Sequence, residues 1–211
     1  MTLIIVRHAQ SAGNARGVFT GGMDVPLTDH GRRQAEALAA RLSSQPIVAV
    51  YASGLERARE TARPAAERLG LQVTVTDTLR EAGLGEAEGL TWAEVRERWE
   101  LGVGARWADS ITGAERGDAV RARVGAGLDE LLERHRTDVA LCVSHAGTIT
   151  HALQHVLGLP VEQGVRLPVH HAALNVVEWT ERGPVLIALN DRCHLDHLDD
   201  LDRLDRPGRA R

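Results

Sequence analysis

Short apolar runs alternate along this chain with longer stretches in which apolar residues return every three or four positions. Residues 2–6, 47–51, 72–75 and 138–143 are short stretches rich in Val, Ile, Leu and Ala, the pattern of buried strands. Residues 172–179 and 185–189 complete the series, joined by a turn at Glu181-Arg182-Gly183. After Thr28, an expected N-cap, Ala35, Leu38, Ala39 and Leu42 mark one face of a helix. A second helix, with Ser53 as its expected cap, turns Leu55, Ala58, Ala62, Ala65, Ala66 and Leu69 inward. Val120, Val124, Leu128, Leu131 and Leu132 mark a longer helix over 117–134, and 147–157 reads as another, stopped by Gly158 and Pro160. Residues 78–112 are the least regular part, with a short helix expected at 92–99. Strands alternating with helices predict an α/β fold: a single-domain, three-layer α/β/α sandwich with a mostly parallel central sheet over residues 1–198. Residues 199–211 are highly charged and are expected to fray as a tail.

Composition narrows this picture. Hydrophobic residues make up 43% and charged residues 26% of 211, normal for a globular domain, and only 3% are aromatic, so aliphatic residues must build the core. All 25 basic residues are Arg, the net charge is −4 and no basic run stands out, so duplex nucleic acid is not an expected partner. The two cysteines make no disulfide framework, and Cys142 sits in an apolar run as a small core residue. No leader pattern opens the chain and no apolar stretch approaches the roughly 18 residues of a membrane span. A cytoplasmic protein is the expectation, and the last strands are available for pairing in a homodimer without any feature demanding it.

In open parallel sheets ligands bind beyond the carboxyl ends of the strands. Arg7-His8 follows the first strand and Ser144-His145 follows the fourth. An imidazole can act as a nucleophile towards phosphorus, and guanidinium groups meet phosphate oxygens with several directed donors. A histidine–arginine pair alone is more often surface decoration. Arg57 falls in the first turn of the second helix, near backbone N–H groups that favour anions.

Taken together these segments resemble the histidine phosphatase superfamily, which includes cofactor-dependent phosphoglycerate mutases and many small phosphatases. Arg7-His8-Ala9 is similar to the family's RHG, and Leu27-Thr28-Asp29-His30-Gly31-Arg32-Arg33-Gln34-Ala35 to LTxxGxxQA. Ser53 to Ala62 matches SxLxRAxxTA, Ser144-His145-Ala146-Gly147 resembles SHGG, and Asn190 to Leu195 fits a late NxxxHL. The motifs span nearly the whole chain in the family's order. The departures are Ala9 and Ala146 in place of glycine; a methyl at Ala9 is expected to crowd the phosphate loop or to disfavour positive φ.

The resemblance implies a phosphoglycerate mutase-like fold and a metal-independent phosphomonoesterase acting on a small phosphorylated metabolite, with no cofactor and no metal ligand. It assigns His8 as the nucleophile, with Arg7, Arg57 and His145 around the phosphoryl group and Glu81 as the general acid and base. Asn14, Thr20, Gly21 and Ala146 are implied substrate contacts. Glu86 and Glu88 are rival carboxylates with a structural or solvated reading. His151, His155, His170 and His171 read as substrate-shell or surface residues, and His194, Asp196, His197, Asp199 and Asp200 as a polar segment rather than a metal site. Trp92, Trp99 and Trp107 either line the pocket or simply pack.

Phe19-Thr20-Gly21 followed by Asp24 resembles the mutases. The stretch after Glu81 lacks a mutase signature, however, and the segment from Glu81 to His145 is short for one, which favours a phosphatase with a site open to water. Gly113-Ala114-Glu115-Arg116 looks like a degraded GGES motif. A catalytically dead phospho-ligand binding protein is the third reading, opposed by the intact set of His8, Arg7, Arg57, Glu81 and His145.

Overall fold

A computed structural model describes residues 1–100, 107–159 and 167–198. The expected tail at 199–211 and Pro160 lie outside them. The central sheet has six strands: β1 (Thr2–Arg7), β2 (Ile47–Ala52), β3 (Val73–Val75), β4 (Val139–Ser144), β5 (Leu174–Thr180) and β6 (Gly183–Asp191). Their order across the sheet is β3-β2-β4-β1-β5-β6. β1, β2, β3 and β4 pair in parallel, while β5 and β6 run antiparallel at one side. The sheet is therefore mostly parallel, as the alternation predicted.

Alternation along β1 explains the layers. Leu3 and Ile5 face a core shared with α5 (Gly117–Arg134) and α6 (Ala146–Val156), through Val124, Leu128, Ile149 and Leu153. Ile4 and Val6 face the opposite core, shared with α2 (Asp29–Leu42) and α3 (Glu56–Leu69), through Leu38, Leu42, Ala58 and Ala62. β1 is thus covered on both faces, and burying each such aliphatic side chain stabilises by about 1.5–3 kcal/mol. Two shorter helices, α1 (Ala12–Ala15) and α4 (Trp92–Arg98), lie in the connections at the carboxyl side of the strands.

Two local expectations come out differently. Thr28 does cap α2, its Oγ1 accepting from Gly31 N at 3.0 Å. Ser53 does not cap α3: the N-cap is Leu55, with no side-chain bond, and Ser53 Oγ accepts from Leu55 N at 3.3 Å. The exposed N–H of Glu56 goes instead to Asp24 Oδ1 at 2.6 Å, a cap supplied by a distant loop and therefore absent from the local pattern. Ala9, expected to crowd the phosphate loop, does not. It is absent from the residues with positive φ, and its methyl packs with Leu27, Ala35, Ala172 and Leu195. The sheet's carboxyl edge continues past the strands through backbone bonds from His8 N to Ser144 O (2.8 Å) and from Ala172 N to Arg7 O (3.0 Å). These bonds fix the backbone on which the candidate site is built.

Candidate active site

A cleft of about 550 Å³ opens at that edge. Arg7, His8, Asn14, Thr20, Gly21, Glu81 and Ala146 line it, while Arg57 and His145 are buried beside His8 at 1% and 0% exposure. All nine residues singled out in the sequence are therefore brought together.

His8 leaves β1 with its ring buried and Nδ1 2.7 Å from the carbonyl of Ala9. A carbonyl accepts, so Nδ1 carries the proton and Nε2 keeps its lone pair. Nε2 in turn accepts a long bond, 3.3 Å, from Arg57 Nε. The rest of the Arg57 guanidinium is anchored: Nη1 donates to Met23 O at 2.7 Å and Nη2 to Gly21 O at 2.8 Å. Thr61 ties this segment to the His8 loop, donating to Arg57 O (2.7 Å) and accepting from Ala9 N (2.9 Å). The arginine and the threonine of one motif thus serve one purpose, fixing Arg57 against His8.

His145 is the N-cap of α6, its ring centroid 5.1 Å from that of His8. Neither of its ring nitrogens has a hydrogen-bond partner within the described residues, although the residue is wholly buried. Buried polar atoms are normally satisfied, so such a ring is a donor or acceptor reserved for something that enters the site. Burial, then the charges of Arg57, Arg7 and Arg123, holds His145 well below the ordinary imidazole range. His8 is held low in the same way, by burial first and then by His145, Arg57, Arg7 and His171. Both rings are neutral at pH 7.

Glu81 stands across the cleft at the start of α6. Its Oε1 accepts from Ala82 N (3.0 Å), Thr148 N (3.1 Å) and Thr148 Oγ1 (3.3 Å), while Oε2 takes one bond from Gly147 N at 3.3 Å. Oε2 is the oxygen with capacity to exchange a proton. A Cβ on Gly147 would lie 2.7 Å from Oε1, so glycine is needed for this approach. At Gly31 a Cβ would collide with the carbonyl of Gln10, which explains the glycine of LTxxGxxQA.

The rival carboxylates are otherwise engaged. Glu88 Oε1 accepts from Gly22 N (2.8 Å) and Leu84 N (3.0 Å), tying two loops together, and Glu86 pairs with Arg98 on the surface. Asn14 accepts from Ser11 N (3.1 Å) and Ser11 Oγ (2.8 Å) through Oδ1, so its NH₂ is the group turned to other uses. Among the described residues no group of three or more His, Cys, Asp or Glu side chains is placed to hold a metal ion. Asp199 and Asp200 lie outside them, as does the side chain of Trp107.

Two contributors, Glu115 and Arg123, escape the sequence reading, and a third, His171, is left open by it. His171, expected to be substrate-shell or surface, is 1% exposed with its ring centroid 5.8 Å from that of His8. Glu115, read as part of a degraded motif, accepts from Arg80, Arg123 and Gly83 N. Burial raises its carboxyl, but bonds and charge from Arg123, with Arg80, outweigh this and hold it below the usual range. Arg123 Nη1 also donates to the carbonyls of Asp77, Thr78 and Arg80, each at 3.1 Å. This clamp fixes the segment that carries Glu81. Arg123 lies on a helix like any exposed arginine, and no spacing in the sequence marks it.

The histidine phosphatase superfamily (branch 1) model matches residues 3–192. The chain belongs to that superfamily. It is 31% identical over 198 residues to phosphoserine phosphatase 1 of Hydrogenobacter thermophilus, covering 92% of this chain and 93% of the relative. It is 33% identical over 211 residues to a probable phosphoglycerate mutase of Yersinia enterocolitica, covering 93% and 95%. A mycobacterial glucosyl-3-phosphoglycerate phosphatase, solved with VO3, superposes with a TM-score of 0.82 at 29% identity, covering 90% of this chain and 99% of that one. Such relatives make this histidine phosphatase homologue a phosphatase or a mutase, with the phosphoglycerate mutase-like fold the sequence predicted.

Proposed function

We propose that this chain is a metal-independent phosphomonoesterase that hydrolyses a small phosphorylated metabolite through a phosphohistidine on His8. The observation that carries the reading is the tautomer lock. With Nδ1–H bonded to Ala9 O, the lone pair of Nε2 points to where Arg57 Nε donates. An entering phosphoryl group takes over that donor and places phosphorus before Nε2.

In the first step His8 Nε2 attacks phosphorus, the P–O ester bond breaks, and Glu81 gives the leaving oxygen its proton. Arg7 and Arg57 as cations, with neutral His145 as an N–H donor, stabilise the charge on the equatorial oxygens, which needs no metal because the two guanidinium groups are already in place. In the second step water attacks phosphorus, Glu81 takes its proton, the N–P bond breaks and inorganic phosphate leaves with His8 neutral again. Asn14, Thr20, Gly21 and Ala146 contact the substrate from the cleft walls.

The mutase reading has support in the Yersinia relative and in Phe19-Thr20-Gly21 with Asp24. Here water would have to be kept from the phosphohistidine.

The test measures phosphate release from p-nitrophenyl phosphate and a panel of metabolite phosphomonoesters, with EDTA present. Turnover by wild type that disappears in His8→Ala supports the proposal. Release that depends on added metal, or that survives in His8→Ala, overturns it. Transfer between phosphoglycerates without net release turns the assignment to a mutase.

A further inference from the structure

The end of the cleft away from His8 has its own chemistry. Val18, Phe19, Leu84, Trp92 and Ala93 form its wall. Phe19 and Trp92 meet edge to face, with ring centroids 5.9 Å apart. The two segments are pinned together: Phe19 N donates to Leu90 O at 2.8 Å, Gly89 N to Phe19 O at 2.7 Å, and Val18 bridges Thr91. Beneath the wall sits a small cluster of Ala87, Val95 and Ile111. The wall is therefore a fixed surface and not a loose flap.

Polar capacity there is largely spent. Thr91 Oγ1 donates to Glu94 at 2.8 Å and accepts from Glu94 N at 3.3 Å, capping α4. Among the described lining residues the sole guanidinium is Arg7, at the phosphate end, and the sole carboxylate is Glu81. A carboxylate or an ammonium lying against Trp92 would lose water and meet no charged partner among the described lining residues of that wall, which is costly. An apolar or aromatic group there gains by burial against a ready surface.

We propose that the substrate's alcohol portion is uncharged and carries an apolar or aromatic face that stacks on Trp92 and Phe19, in preference to a carboxylate-bearing alcohol such as phosphoserine or 3-phosphoglycerate. This rests on the phosphomonoesterase reading above and names its substrate class. Trp92 is then a specificity-determining residue for the aglycone, while the phosphoryl group is held at the His8 end.

Four alkyl phosphates with comparable leaving groups test the proposal: ethyl phosphate, 2-phenylethyl phosphate, phosphoserine and 3-phosphoglycerate. Wild type is expected to show kcat/KM for 2-phenylethyl phosphate about 10-fold or more above each of the other three. Trp92→Ala is expected to pull the phenylethyl-to-ethyl ratio towards one, mostly through KM. Equal or better turnover of phosphoserine or 3-phosphoglycerate overturns the proposal. So does a Trp92→Ala variant in which both alkyl phosphates fall by the same factor, the mark of a merely structural tryptophan. If wild type hydrolyses none of the four, release from p-nitrophenyl phosphate decides the phosphatase reading, and calorimetry with phosphonates decides this one separately. Binding of 2-phenylethylphosphonate about 10-fold tighter than ethylphosphonate upholds the apolar subsite, and equal binding overturns it.

Discussion

At the His8 end of the cleft three side chains are set by regular elements: His8 follows β1, His145 caps α6 and Arg57 lies in the first turn of α3. At the Trp92 end the side chains come from connections, where Phe19 and Leu84 belong to loops and Trp92 to the first turn of a seven-residue helix. The first end is buried, polar and held by charged donors; the second is half-exposed, apolar and held by a few backbone bonds. The contrast separates what a phosphoryl-transfer site must fix from what it can vary. Strand ends and helix starts hold His8, Arg57 and His145, while Glu81 and the Trp92 wall come from connections, the first clamped by Arg123 and the second open to variation.

The comparison breaks most visibly at His8. Replacing it with Ala removes the nucleophile, and steady-state phosphate release is expected to fall by about 10⁴-fold or more. Arg57→Ala follows, with kcat lower by about 10²–10³-fold as a preorganised donor disappears; Arg57→Lys will not restore it, because a single ammonium cannot serve His8, Met23 and Gly21 together. Glu81→Gln sharpens the contrast by leaving group. In single turnovers, phosphorylation of His8 by alkyl phosphates should slow by about 10²-fold and by p-nitrophenyl phosphate far less, since nitrophenolate departs without a proton. Equal losses on both would remove Glu81 as the acid.

Arg123→Ala acts at one remove. It strips a charged donor from three carbonyls and leaves Glu115 without its main partner, so a loss of about 1–3 kcal/mol of stability is expected in denaturant titrations. Activity should drop less than in Glu81→Gln, because the clamp only positions that segment. The mildest perturbation is pH. His8 and His145 have folded pKa values below their unfolded ones, so above about pH 6.5 both states are neutral and their stability contribution is constant. As pH falls below that value the unfolded chain takes up protons first, and stability declines. For the same reason the acid limb of kcat/KM should lie below pH 6.5, and a limb at or above it would contradict a buried neutral His8.

The sequence carried the His8 end far better than the Trp92 end. Period-two and period-three-to-four patterns placed the six strands and four of the main helices because both faces of the sheet are covered, so burial writes directly into residue type. The family motifs brought out His8, Arg57 and His145 because each demands a local device, such as Thr61 beneath Ala9 or Gly31 against Gln10. The cap of α3 stayed hidden because Asp24 reaches it across 32 positions. Arg123 and Glu115 stayed hidden for a related reason: they join segments distant in sequence, and nothing in their immediate neighbours differs from an ordinary surface helix or loop.

The pairing of β1 has a consequence for biosynthesis. The strand that delivers His8 is the first made, yet it lies between β4 and β5, whose residues run from Val139 to Thr180. No shorter nascent chain can complete its hydrogen-bond ladders, and contacts of such sequence separation form slowly. His8 therefore leaves the ribosome long before its strand has neighbours, and activity should appear only when most of the chain is free. Until then the apolar run Leu3–Ile4–Ile5–Val6 is a segment for chaperones to shield.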